Sequence, residues 1–126
     1  MRRPFATVLL CLFFAPALNA QLLQWSPSFI KESSASVVIT CDATRGNQGL
    51  SGYTPASDVY VHIGVITNLS TSSSDWKYVV NSNFSTPAAI VQTATAGTNK
   101  WSFTINGGLR AFFNITNTAE KIPQKR

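Results

Sequence analysis

The amino-acid sequence predicts an all-β protein, built as a sandwich of short strands. In residues 58–67, four apolar side chains alternate with polar or small ones. Because side chains alternate across a strand, this period of two predicts a strand with one buried face. A similar strand is predicted at 37–42, and a loop rich in glycine connects the pair. Further short strands separated by turn residues complete the pattern of a sandwich.

The other strands are assigned from the same signals. We expect a first edge strand at 29–31 and later strands at 76–80, 89–95 and 100–105. The alternation in the last of these predicts that Trp101, Phe103 and Ile105 share one face. Gly107-Gly108 ends that strand. Residues 109–114 fit a single helical turn as well as a strand, and we favour a helical turn across the end of the sandwich.

Residues 1–20 are predicted to be a secretory signal peptide. Two arginines precede a short apolar run, and small residues follow it. We place the cleavage after Ala20, with residues 15–17 as an alternative exit and an uncleaved anchor as the competing interpretation. The mature chain would be residues 21–126, one domain of immunoglobulin-like size. The expected location is secreted, periplasmic or at the cell surface.

Charge and cysteine content exclude some classes of function. Without the leader, eight Lys and Arg stand against five acids, a net charge of +3, and the basic residues form no stripe with aromatic ones. This pattern argues against a nucleic-acid partner. Cys41 is the only cysteine after the leader, so no intrachain disulfide is expected. Its position beside Val37 and Ile39 on one strand face predicts a small buried side chain.

Catalytic and metal-binding patterns are not visible in the sequence. His62 is the single histidine, and it lies in mid-strand. Asp42 and Asp58 flank the glycine-rich loop and could in principle form a hydrolytic carboxylate pair. We favour the simpler interpretation that they are polar residues of strand ends and turns. The sequence therefore predicts a protein that is not an enzyme and that uses no metal or other cofactor.

Aromatic residues carry the one feature with binding potential. Trp76 and Tyr78 are two positions apart in a predicted strand, so we expect them to share a face. Flat rings on an exposed sheet face could stack against sugar rings, which makes this pair the candidate carbohydrate contact. The alternative is that both rings belong to the core, because Trp and Tyr are common in buried strands.

The strand motifs resemble a known family over most of the mature chain. The segments are 36–44, 58–67, 76–79, 99–103 and 120–122. They are similar to the N-terminal immunoglobulin-like domain of secreted alpha-amylase-family glycoside hydrolases from Bacteroidetes-type bacteria. This resemblance implies an immunoglobulin-like β-sandwich that acts as a non-catalytic accessory module, with α-glucan as a possible partner. The family's catalytic acids lie in a separate (β/α)8 barrel, so the resemblance assigns none to this sequence.

The end of the sequence departs from the family. In relatives, two closing strands and the barrel follow the segment that matches 120–122, whereas this sequence ends at Arg126. We therefore expect a fragment of a longer protein with an incomplete sandwich. Loss of about five inward side chains would remove about 8–15 kcal/mol, which rivals the whole stability of a domain and predicts poor folding and exposed strand edges. The alternative function is a free-standing secreted carbohydrate-binding or adhesion protein.

Overall fold

The computed structural model describes residues 21–124, and its regular elements are mostly antiparallel strands. The elements are β1 (Leu23–Ser26), β2 (Ser36–Asp42), β3 (Ile63–Val65), β4 (Lys77–Val80), β5 (Ala94–Gly97), β6 (Lys100–Asn106) and α1 (Leu109–Phe112). Short 3-10 turns occupy Ala56–Asp58 and Ala89–Val91. The predicted all-β class is therefore confirmed. The predicted leader at 1–20 lies outside the described residues.

The larger sheet has four strands in the order β1-β2-β6-β5. Its centre is the antiparallel pair of β2 and β6, which stays in register from Ser36 opposite Asn106 to Asp42 opposite Lys100. The alternation predicted for β6 is confirmed, because its three apolar residues Trp101, Phe103 and Ile105 are all buried. Such strict alternation gives the sheet one face for the core.

The smaller sheet contains only β3 and β4, and its pairing is irregular. Ile63 lies opposite Val80 while Val65 lies opposite Lys77, so β4 has one residue more than β3 between these pairs. This is a β-bulge, which bends a strand and interrupts its alternation. Tyr78 lies within the bulge and has a φ of 53°, in the left-handed region.

Residues 21–124 contain two buried hydrophobic clusters, and side chains from both sheets meet in the larger one. Val37 of β2, Val65 of β3 and Phe103 of β6 belong to the same buried cluster, and residues after β6 close it. These closing residues are Leu109, Phe113 and Ile115. The single turn of α1 confirms the helical turn predicted after β6.

Residues 115–122 are attached to the fold by a hydrogen-bonded ion pair. Arg110 of α1 forms a salt bridge of 2.8 Å with Glu32, and the second oxygen of Glu32 accepts the backbone N–H of Ile122 at 3.0 Å. The Arg110 guanidinium also donates to the backbone carbonyls of Ile115, Asn117 and Glu120. These contacts hold the segment although it forms no strand.

Three strand predictions need correction. The first strand is Leu23–Ser26 and not 29–31. The sequence did not predict it, because all four of its residues are exposed and the strand has no buried face. The predicted long strand 58–67 is reduced to Ile63–Val65, preceded by a 3-10 turn and one isolated bridge between Tyr60 and Gln92. The predicted strand 89–95 is a 3-10 turn followed by β5.

The two strands that suggested the fold class also lie apart. β2 belongs to the larger sheet and β3 to the smaller one, so the glycine-rich loop joins two sheets and not two neighbouring strands. Among residues 21–124, no helix has the length and apolar character needed to cross a membrane.

Candidate functional site: an exposed aromatic stack

The outer surface of the smaller sheet places a tryptophan close to the backbone of β3. A Cβ added to Gly64 would lie 3.1 Å from the Cβ of Trp76 and 3.1 Å from Cγ2 of Val79. These distances are shorter than ordinary van der Waals contacts, so the glycine provides the space for this approach. Trp76 and Val79 therefore approach Gly64 closely, and Val79 lies within the bulge.

The ring of His62 is close to two other rings, and we call these three residues the aromatic stack: Trp76, His62 and Phe84. The ring centroids of Trp76 and His62 are 6.0 Å apart, and their planes differ by 26°. The centroids of His62 and Phe84 are 6.3 Å apart, with an angle of 45°. Trp76 is 48% exposed and Phe84 is 59% exposed, so both outer rings are open to solvent.

The central imidazole is fixed by a backbone group. Nδ1 of His62 lies 2.8 Å from the carbonyl oxygen of Asn81, so this nitrogen must carry the proton that is donated. The neutral ring then has its acceptor on Nε2. Asn81 is buried and donates its own side-chain N–H to the carbonyl of Val61. The position of His62 in the stack is thus held by two linked hydrogen bonds.

Tyr78 does not join Trp76 in a common platform. Its hydroxyl donates to Oε2 of Glu120 at 2.5 Å, and the hydroxyl of Thr67 donates to Oε1 at 2.6 Å. The prediction of a shared face is wrong here because the bulge breaks the period of two. Trp76 stays exposed in the stack, while Tyr78 anchors a carboxylate that is only 3% exposed.

Hydrogen bonding also shifts the titration of this polar cluster. The bonds from Thr67 and Tyr78 lower the pKa of Glu120 from its ordinary value of 4.5. The same carboxylate raises the pKa of Tyr78. Both shifts favour a charged Glu120 and a protonated Tyr78 at neutral pH. The cluster therefore acts as a structural anchor between β4 and the segment after α1.

Sequence reasoning did not connect His62 and Phe84 with Trp76. His62 was predicted to lie in mid-strand, whereas β3 begins one residue after it, at Ile63. The return of Phe84 to the same surface depends on the loop after β4, where Asn83 accepts the backbone N–H of Ser85 at 2.9 Å. No periodic pattern in the sequence predicts that Phe84 lies close to His62.

A second feature is a partly open apolar pocket of about 370 Å³. Its walls include Ile39, Cys41 and Phe103 from the larger sheet and residues 59–63 from the facing segment. Cys41 is half-buried, less than predicted, because its side chain lies against this space. Burial and the neighbouring charge of Asp42 raise the pKa of its thiol, which keeps the sulfur neutral.

Each carboxylate beside the glycine-rich loop accepts hydrogen bonds from a residue close to it in the sequence. Asp42 accepts the backbone N–H of Thr44 at 3.0 Å and its hydroxyl at 2.6 Å, and these bonds lower the pKa of Asp42. Asp58 accepts the hydroxyl of Tyr53 at 2.5 Å. Within residues 21–124, no group of three or more His, Cys, Asp and Glu is arranged to hold a metal ion.

Comparisons with known proteins add no identification. The chain matches no family model, and neither curated proteins nor solved structures give a match.

Proposed function

We propose that this chain is an immunoglobulin-like β-sandwich that binds carbohydrate without catalysing a reaction, as an accessory module of a secreted α-glucan hydrolase. The observation that carries the binding function is the aromatic stack of Trp76, His62 and Phe84 on the outer surface of the smaller sheet. The α-glucan part rests on the resemblance of the strand motifs to the accessory domain of alpha-amylase-family proteins.

The chemistry of the stack suits a sugar chain. Ring faces offer an apolar surface to the C–H groups of a pyranose, and solvent reaches both outer rings before a ligand binds. Because Nδ1 of His62 is bonded to the carbonyl of Asn81, Nε2 is the ring nitrogen left for a sugar hydroxyl. Exposed apolar surface bordered by polar groups is typical of a binding site. The fixed orientation of His62 reduces the entropy cost of binding.

Affinity electrophoresis in gels containing soluble starch tests the proposal. We expect starch to slow the migration of the purified chain, and Trp76→Ala to weaken this effect at least about tenfold, equivalent to about 1.4 kcal/mol. Trp25→Ala is the matched control, because Trp25 is 47% exposed and lies in β1, outside the stack. It should migrate like the unaltered chain.

Two outcomes would contradict parts of this proposal. Equal migration with and without starch would exclude α-glucan as the ligand. Retardation by a different glycan, again lost in Trp76→Ala, would favour the free-standing carbohydrate-binding or adhesion protein. Equal retardation of Trp76→Ala and the unaltered chain would remove the stack from the binding site.

A further inference from the structure

The segment that leads into β3 has one free edge. On its other side, residues 91–93 accept the backbone N–H of Val61 and donate to the carbonyl of Val59, both at 2.9 Å. In an antiparallel pair, alternate residues direct both backbone groups to the same neighbour. The backbone groups of Tyr60 and His62 therefore point away from that neighbour, and they form no hydrogen bond within the described part of the chain.

This edge borders the partly open apolar pocket. Tyr60 and His62 line the pocket together with Ile39 and Cys41 of β2 and Leu23 of β1. Ile39 and Cys41 are only half-buried, and Leu23 is 44% exposed. Apolar side chains of the larger sheet thus remain partly uncovered beside the free edge of the smaller one.

The edge also lacks the features that usually prevent strand pairing. Proteins protect open edges with lysine, proline, bulges or a covering segment. Residues 59–64 contain no lysine, arginine or proline, and the extra residue of the bulge lies in β4, on the other side. An added strand would find free backbone donors and acceptors here, with apolar surface for every second side chain.

The shape of this region favours a single strand over a second copy of the chain. In each copy, β1 and β2 extend beyond the free edge. Two copies joined at this edge by a two-fold axis would therefore place these strands in the same space. A lone extended segment carries no such sheet beneath it, so it can approach the edge.

We propose that the free edge at Tyr60 and His62 binds an extended segment of a partner protein, in which apolar side chains alternate with polar ones. The segment joins the smaller sheet on the side opposite β4, and its apolar side chains cover the pocket. Strand binding uses the backbone of His62, whereas the proposed sugar contact uses its ring, so each interaction can be tested without the other.

Hydrogen exchange measured by NMR tests this pairing on the unaltered chain. The probe is a synthetic peptide in which valine and threonine alternate between two terminal glutamates. At about four times its Kd, the peptide should slow the exchange of the Tyr60 and His62 amides about fivefold. The amide of Trp25, in the exposed edge strand β1, should keep its rate. Equal protection of Trp25 would show pairing with any open edge and would contradict the proposal.

A second peptide separates backbone pairing from apolar adsorption. It has the same side chains but is N-methylated at every valine and threonine, so it lacks the donors and should give no protection. Equal protection by both peptides, or none by the first up to its solubility limit, would overturn the proposal. Protection that rises with the concentration of the chain alone would identify a second copy as the occupant and would also overturn it.

The variant Tyr60→Pro removes a donor from the edge itself. The N–H of Tyr60 has no partner within the described residues, so the change breaks no hydrogen bond there, whereas proline in an edge prevents pairing. The peptide should then leave the exchange of His62 unchanged. Tyr60→Phe keeps the backbone donor and should show the full fivefold effect. Persistent protection in folded Tyr60→Pro would contradict pairing at this edge. If Tyr60→Pro does not fold, the two peptides on the unaltered chain decide.

Discussion

The larger and smaller sheets differ in the regularity of their pairing, and their surfaces differ accordingly. β2 and β6 stay in register over their full lengths, and every second side chain of β6 from Trp101 to Ile105 is buried. β3 and β4 keep only two register pairs, separated by a bulge. Both pairs contribute to the core, but the rings of the aromatic stack lie in the segments that flank the irregular pair. Interrupted alternation thus marks the surface with binding potential.

Truncation of one phenylalanine in each region gives the largest expected contrast. Phe103 is 3% exposed and belongs to the core, whereas Phe84 is 59% exposed in the aromatic stack. Phe103→Ala should lower the free energy of unfolding by about 3–5 kcal/mol through the cavity that it leaves. Phe84→Ala should change it by less than about 0.5 kcal/mol. Urea denaturation measures both, and similar losses would contradict the division between core and surface.

A methyl group added beside the bulge should have an intermediate effect. Gly64→Ala places a Cβ 3.1 Å from two side-chain carbons and 3.3 Å from the carbonyl oxygen of Lys77. Such crowding should cost about 1–3 kcal/mol of unfolding free energy. Gly49→Ala is the control, because its nearest contact is an ordinary 3.5 Å to Oδ1 of Asn47. Thermal unfolding compares the two, and an equal stability would show that Gly64 is not needed for the approach of Trp76.

The smallest expected effect is a loss of stability at low pH. Hydrogen bonds lower the pKa of Glu120 below its ordinary value of 4.5, so the folded state binds its proton less readily than the unfolded state. This contribution to stability is complete above pH 4.5 and is lost as the pH falls through the lower folded value. Glu32 behaves in the same way, because of its bonds with Ile122 and Arg110.

The variant Glu120→Gln measures how much Glu120 contributes to the pH dependence of the unfolding free energy. Glu120→Gln should be less stable than the unaltered chain at pH 7, because its amide cannot accept from both Thr67 and Tyr78. Its stability should also fall less steeply below pH 4.5. Chemical denaturation across this pH range measures both slopes, and parallel curves would show that Glu120 does not contribute to the acid sensitivity.

The regular parts of the fold could be predicted from the sequence because the alternation of apolar and polar residues there shows which side chains face the core. The alternation of Trp101, Phe103 and Ile105 predicts a strand and its buried face, and the structure confirms both. Gly107 and Gly108 end this strand, and their φ values of 78° and 91° show why glycine is needed. β1 was missed because it is an exposed edge strand with no buried face.

The candidate site was less predictable because it depends on interrupted patterns. The spacing of Trp76 and Tyr78 implied one face, but a left-handed backbone at Tyr78 separated them. The contact of Trp76 with His62 requires the register between β3 and β4, and the addition of Phe84 requires the path of a loop. Both are long-range features that local spacing does not contain.

The most direct test of the central claim is an NMR titration of the chain with maltoheptaose. The two indole N–H signals to compare are those of Trp76, in the aromatic stack, and Trp25, which is equally exposed in β1. With ligand at about 10 mM, ten times a Kd of about 1 mM, binding at the stack predicts a saturable shift of Trp76 and of the backbone amides of His62 and Phe84. The Trp25 signal should stay in place. An unmoved Trp76, or equal shifts of both indoles, would contradict the claim.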